Sequence, residues 1–350
     1  MFKVGIIGCG NAAREHAKVF TSMNDRMKIV GCCDVDSIKL MDFKKRVAPN
    51  AEVFTDPSIM FDQLTLDVVL IATWPAAHAQ QAMLAIEAGI PNVVIEKPLT
   101  MTAGEALSTF VSAQSRSIRI MESNAFMHHP RFRKIDAILQ DKSMADTIHA
   151  TFCKLDRELA DPSEFDLDWR RRKIHGGGVP WEFASFMTTA CNHFARDLPV
   201  GVYAYGSRGR YDTITRMHGM IEYLNGGIAF LHADKQSDAQ ELRLKFDGGT
   251  IEMTNDCWHC DSGDSEMKIT TKSATTVKSF EYVDPFLTQW RDFANVMENG
   301  LDPTVPFVHS VVTMYVLDAM VTSTLQQINV ELDIPEIIMD AYEKTIEGNS

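Results

Sequence analysis

Gly8-Cys9-Gly10-Asn11-Ala12-Ala13 stands between an apolar run, Val4 to Ile7, and a stretch with helical spacing. In that setting Gly8 permits a tight turn, Gly10 lets a pyrophosphate approach the helix N-terminus, and Ala13 lets helix pack closely on strand. Asn11 and Ala12 count with the two glycines as candidate dinucleotide contacts. Asp34, closing the next apolar run, is placed to accept hydrogen bonds from ribose hydroxyls. A carboxylate there repels a 2′-phosphate, so NAD is favoured over NADP, although Lys39 and Lys44 downstream keep NADP open. A second cluster sets Trp169 beside Arg170, Arg171, Arg172 and Lys173. An indole face suits a sugar ring and a guanidinium pairs with carboxylate or phosphate. The cluster therefore reads either as a solvated loop or as a wall for a uronate or nucleotide-sugar.

The elements that must position these residues fall into two textures. Up to residue 122, short β-branched runs (Lys3–Ile7, Lys28–Cys33, Val68–Ala72, Asn92–Ile95, Ile118–Met121) alternate with helical stretches (Asn11–Thr21, Ile38–Val47, Ala77–Ala88, Ala103–Gln114). Stacked βαβ units give that alternation, so residues 1–122 are expected to form a doubly wound parallel Rossmann sheet, α/β in class, with Gly89 as a left-handed helix cap. From 123 the strand-like runs Thr147–Lys154, Val200–Ser207, Thr213–Tyr223, Gly227–Ala233, Glu241–Phe246 and Thr250–Thr254 follow one another through glycine-rich turns. They predict an α+β domain over 123–350 built on a large, mainly antiparallel open sheet. Helical spacing returns at Phe286–Asn299 and His309–Gln327, which are expected to pack back on one of the domains.

Further segments bring a family into view. Thr73-Trp74-Pro75 and His78 follow one strand candidate, and Glu96-Lys97-Pro98 closes the next. With the N-terminal glycines, the Gly176-Gly177-Gly178 turn, Gln289-Trp290-Arg291-Asp292-Phe293 and Asp318-Ala319-Met320, the chain over essentially its whole length resembles the glucose-fructose oxidoreductase, inositol dehydrogenase and rhizopine-catabolism (Gfo/Idh/MocA) family. The resemblance implies NAD- or NADP-dependent oxidation or reduction of a sugar, sugar derivative or cyclitol. It implies cofactor contacts at Thr73, Trp74, Pro75, His78, Glu96 and Lys97, and a substrate domain that also forms a homodimer or homotetramer. Lys97 matches the lysine that touches the reacting hydroxyl. An alcohol losing hydride must also lose a proton, which a group within about 3 Å can take. With an ordinary pKa of about 10.4, a lysine needs burial or a cationic neighbour for that task.

The chain departs from the family at one place. After the triple glycine the family carries an acid and, four residues on, a histidine; here those positions hold Glu182 and Phe186. Pro180 suits the first turn of the helix, and Phe183, Phe186, Met187, Ala190, Cys191 and Phe194 form its apolar stripe. His193 shares a face with Glu182 but lies about 10.5 Å along the axis from Phe186. His193, His175 before the glycine turn, and His128 with His129 are the candidate replacements, alongside Glu182, Trp169 and Arg170 as substrate contacts. Two other functions remain open: a non-catalytic dinucleotide sensor, because the usual histidine is missing, and a redox-neutral NAD-using glycosidase.

Composition narrows the partners. A net charge of -13 offers no field to collect a nucleic-acid backbone or an anionic membrane surface. No uninterrupted apolar run approaches the roughly 18 residues of a membrane span, and the N-terminus reads as strand and turn, so a cytoplasmic location is expected. The seven scattered cysteines suit a reducing compartment. Only Cys257 and Cys260 have metal-like spacing, and no second pair completes a site, so no metal is expected.

Overall fold

The computed structural model describes the chain except for residues 142–147, 157–168, 210–211, 236–237, 255, 259–263 and 348–350; Cys260 lies outside the described residues. The chain divides into two compact units: Met1–Ala125 with Phe286–Phe307, and Phe126–Pro285 with Val308–Ser350.

The first unit holds β1 (Phe2–Ile7), α1 (Asn11–Ser22), β2 (Met27–Cys33), α2 (Ser37–Arg46), β3 (Glu52–Phe54), α3 (Pro57–Gln63), β4 (Val68–Ile71), α4 (Pro75–Glu87), β5 (Asn92–Glu96), α5 (Ala103–Ser115) and β6 (Arg119–Ser123). The six strands form one parallel sheet in the order β3-β2-β1-β4-β5-β6. This is the expected doubly wound sheet. Its order reverses between β1 and β4, and ligands of such sheets bind at the carboxyl ends of the strands flanking that point. All four residues of β4 are buried, as a strand covered on both faces must be. Local chemistry sets the helix starts. Asp36 caps α2, Asp56 caps α3, and Thr102 with Glu105 forms a capping box on α5. Gly89 takes the left-handed conformation, φ +74°, just past α4. From Phe286 on, α8 (Pro285–Asn299) belongs to this unit and buries Trp290, Phe293, Ala294 and Val296 in its core.

The second unit holds α6 (Pro130–Gln140), β7 (Ile148–Asp156), α7 (Ser185–Ala195), β8 (Pro199–Arg208), β9 (Ile214–Tyr223), β10 (Ile228–Asp234), β11 (Ala239–Phe246), β12 (Gly249–Thr254), β13 (Ser265–Thr271), β14 (Thr275–Phe280), α9 (Phe307–Gln326, from Val308), β15 (Val330–Glu331) and α10 (Glu336–Glu347). The nine-stranded sheet runs β14-β13-β12-β11-β7-β10-β9-β8-β15, antiparallel except where β7 lies parallel to β10. One face is covered: Ser323 of α9 accepts from the Ala204 N–H at 2.7 Å. The other shows Phe152 and Phe230, paired across β7 and β10 with their rings stacked at 5.2 Å. By length and mean hydropathy α9 resembles a membrane span, yet 72% of the relevant window is buried in protein. It is a core helix here.

Candidate functional site

In the first unit the ends of β1 and β4 nearly touch. An added Cβ on Gly8, whose φ is +90°, would lie 2.6 Å from the Ala72 carbonyl oxygen, so only glycine fits this turn. Gly10 then serves as the N-cap of α1 without any side-chain cap, and a Cβ there would meet nothing within 4 Å. Orphan N–H groups, the positive end of the helix dipole and open space are what a phosphate needs. Asp34, just past β2, accepts from the Cys9 N–H with Oδ2 at 2.7 Å and from the Asp36 N–H with Oδ1 at 2.8 Å. Each oxygen keeps a lone pair for a hydroxyl. These residues fit a dinucleotide. The thiols beneath the turn are inert: Cys9 is pushed far up by its bond to Cys32 and by burial, and Cys33 is pushed up to about 12 by burial and by Asp34.

Thr73, Trp74 and Pro75 form the turn into α4, where Trp74 is the N-cap and Pro75 the first helical residue. His78, wholly buried, sets Nδ1 2.8 Å from the Pro98 carbonyl and Nε2 3.2 Å from that of Thr73. Burial holds its pKa below the ordinary range despite those two carbonyls, and the single N–H of the neutral ring can donate to only one of them, the Pro98 carbonyl being the closer. Its ring thus lies between the turn after β4 and the turn after β5.

Glu96 ends β5 and Lys97 follows it. Glu96 Oε1 lies 2.8 Å from His16 Nε2 on α1, and His16 Nδ1 accepts from Trp290 Nε1 at 2.8 Å. Gln289 Nε2 donates at 3.1 Å to the hydroxyl of Ser123, the cross-strand partner of Glu96. Burial alone would raise the Glu96 carboxyl, but the hydrogen bond from His16, the charge of Lys97 and a bond from Ser123 outweigh it and hold the group below the ordinary carboxylate value. The Gln289-Trp290 segment, singled out by resemblance alone, is therefore the floor beneath Glu96. His16 carried no such signal in the sequence.

In the second unit the triple glycine passes tightly against the loop before it. A Cβ on Gly177 would fall 2.3 Å from the Arg170 carbonyl oxygen. The next segment, Pro180–Ala184, is wound as a π-helix before α7 begins, which corrects the expectation of α-helix from Pro180 onward. The i→i+5 winding changes which residues share a face. Phe183, Met187, Ala190, Cys191 and Phe194 are buried as expected, while Phe186 is half-buried and packs on Phe126 at 5.3 Å between ring centroids. Glu182 and His193 are held by different partners. Glu182 forms a close ion pair with Lys235, each side chain 8% exposed, and Arg170 Nε lies 3.3 Å from its other oxygen. Arg170 also covers the Trp169 ring at 4.8 Å, so indole, guanidinium and carboxylate form one stack. His193 Nε2 instead lies 2.8 Å from Asp136 of α6. His128 is buried, His175 is half-exposed in a single 3-10 turn, and His129 caps α6, accepting from the Arg131 N–H, with its pKa pushed down to about 4 by burial and by Arg131. Lys235 escaped the sequence reading. It stands alone at the end of β10, and only the fold brings it to Glu182.

Residues 2–124 match the oxidoreductase family with an NAD-binding Rossmann fold, Gfo/Idh/MocA. D-xylose 1-dehydrogenase (NADP(+)) 2 of Haloferax volcanii is 26% identical over 77% of this chain and 81% of its own length. An inositol 2-dehydrogenase of Agrobacterium fabrum is 33% identical, over 29% of this chain and 30% of that protein. Among solved structures, levoglucosan dehydrogenase in complex with NADH and levoglucosan superposes with TM-score 0.83 at 17% identity, covering 95% of this chain and 100% of that one. KijD10, a 3-ketoreductase from Actinomadura kijaniata in complex with NADP and TDP-benzene, gives TM-score 0.80 at 20% identity over 92% and 98%. At these identities the structural likeness is one of fold.

Proposed function

Because the chain belongs to the Gfo/Idh/MocA oxidoreductase family through its NAD-binding domain, we propose that it exchanges a hydride between NAD(P) and a CH–OH carbon of a sugar, sugar derivative or cyclitol, with Lys97 as acid/base. The observation that carries the cofactor half is the uncapped, unobstructed start of α1 with the Asp34 carboxylate beside it. The substrate class is supported by the names of the relatives, which act on xylose, inositol and levoglucosan.

The cofactor, when bound, accepts or returns the hydride. The protein supplies the rest. The N-terminus of α1 takes the pyrophosphate, and Asp34 accepts from the ribose hydroxyls while its bonds to Cys9 and Asp36 keep the carboxylate from turning. In the oxidative direction the substrate C–H bond breaks with its electron pair leaving as hydride, the O–H proton passes to the Lys97 amine, and the carbonyl forms. His78 holds the Lys97-Pro98 turn through the Pro98 carbonyl. At position 186 the ring of Phe186 handles no proton, so the acid/base burden falls on Lys97.

Lys97→Ala tests this. General acid–base help is worth about 10²- to 10⁴-fold, and turnover is expected to fall by that much while NAD(H) affinity stays within a few-fold. Stopped-flow absorbance at the reduced-nicotinamide band, run over a panel of sugars and cyclitols, measures it. A variant that keeps wild-type turnover removes Lys97 from the mechanism.

A further inference from the structure

We propose that Trp290 is a positioning residue: it locks His16 in one neutral tautomer, so that the Glu96 carboxylate stands as an uncancelled negative charge beside Lys97. The inference rests on the reading of Glu96 and Lys97 as part of the cofactor site.

The direction of each hydrogen bond follows from what the groups can do. An indole N–H donates and never accepts, so the His16 Nδ1 at 2.8 Å from Trp290 Nε1 must be the acceptor and carries no proton. The single ring proton therefore sits on Nε2 and is donated to Glu96 Oε1 at 2.8 Å. Adding a second proton would set two N–H groups head to head. Water cannot relieve that clash, because His16 and Trp290 are both 0% exposed. The enclosure is aromatic: Phe286 meets the His16 ring edge-on at 4.8 Å and Phe20 meets Trp290 at 4.7 Å.

The charged surroundings are simple. From β5 and its turn, Glu96 and Lys97 face the site; from β6 comes Ser123, while the buried Glu122 is held by the Asn124 amide at 2.8 Å. From α8 come Trp290, Phe286 and Gln289, all neutral, and Arg291 is exposed. With His16 uncharged, Lys97 is the cation that the described residues set against Glu96. An oxidised nicotinamide carries a positive charge that the reduced ring lacks, so the charge state of His16 bears on the balance between the two cofactor forms.

Trp290→Phe keeps the aromatic bulk and deletes the donor. The first measurement needs no variant: histidine ¹⁵N resonances of the full chain, with His16 assigned by loss in His16→Gln. In the wild type His16 should show the pattern of the single Nε2–H tautomer. In Trp290→Phe, with no indole N–H facing Nδ1, that single-tautomer pattern should be lost. The second is the affinity for NAD⁺ and for NADH, where the NAD⁺/NADH affinity ratio of the variant should drop by up to about tenfold once His16 is free to carry a charge that offsets Glu96. A wild-type His16 that shows any other pattern, or the same pattern in both proteins, overturns the inference, and so does a variant whose ratio equals the wild-type one. Failure of the wild type to bind either nucleotide would instead overturn the cofactor reading, with the resonance measurement still deciding the tautomer.

Discussion

The turn after β1 and the turn before α7 are both built on glycines, and they work differently. At Gly8-Cys9-Gly10 the backbone itself is the functional group: a positive φ, a close pass over Ala72 and an uncapped helix start create a place for phosphate, with one carboxylate beside it. At Gly176-Gly177-Gly178 the glycines only bring loops together. The chemistry there is carried by side chains from three separate segments, Arg170, Glu182 and Lys235. A backbone site is written in consecutive residues. A side-chain site is written in the fold.

The sharpest way to break that comparison is to remove Lys235. Its pair with Glu182 is nearly enclosed, and deleting one member of a buried ion pair strands the other charge, at a cost of about 3 to 5 kcal/mol. Lys235→Met is expected to destabilise the protein toward the lower end of that range, since Arg170 still touches Glu182. Adding Glu182→Gln should recover most of the loss. Denaturant unfolding of the two single variants and the double variant measures the coupling. A double variant as unstable as the sum of the singles would show that the pair is not what holds this segment.

This contrast also explains what the sequence disclosed. The parallel sheet was legible because its strands are buried runs and its turns are glycine or capping residues; five of its strands lie within two residues of the expected spans at each end. β3 escaped because three residues on a sheet edge carry no periodicity. β13 and β14 escaped because their side chains are mostly polar, and those of β14 mostly exposed, leaving little alternation to read. Of the candidate site residues, Gly8, Gly10 and Asp34 were read from spacing, and Lys97 from resemblance. Lys235 and His16 were not singled out, since each acquires its partner only from far away in the chain. The π-wound turn also has no signature in residue spacing.

A second contrast lies in acid. In the second unit His309 of α9 is enclosed: its Nε2 meets the Thr345 hydroxyl at 2.7 Å, and that hydroxyl gives its own proton to the Tyr342 carbonyl, so Nε2 is the donor. Nδ1 has no partner among the described residues. Burial, and then the charge of His193, push the pKa down to about 3. The unfolded chain takes up this proton below about pH 6.5 while the folded one resists until about pH 3, so stability is complete above the higher value and falls as pH drops between them. The slope from this residue is about 1.4 kcal/mol per pH unit. His309→Leu should flatten the acid limb of a denaturation series, and an unchanged limb would remove His309 from the account.

The smallest expected effect is the most discriminating for the backbone site. Asp34→Ala removes the acceptor of the Cys9 and Asp36 N–H groups, which loosens the turn for any dinucleotide alike. On the proposed cofactor reading it also deletes the ribose hydrogen bonds that only a free 2′-hydroxyl can make, and lifts the repulsion that a 2′-phosphate would feel. The shared loss cancels in the ratio of the two affinities. NAD should weaken about tenfold, the worth of one or two charge-assisted hydrogen bonds, while NADP should weaken less or bind better. Calorimetric titration of both cofactors against wild type and variant reads that ratio directly. Were NAD and NADP to lose equally, Asp34 would be a turn-former with no part in choosing the cofactor, and discrimination would have to come from side chains further along, such as Lys39 and Lys44 in α2.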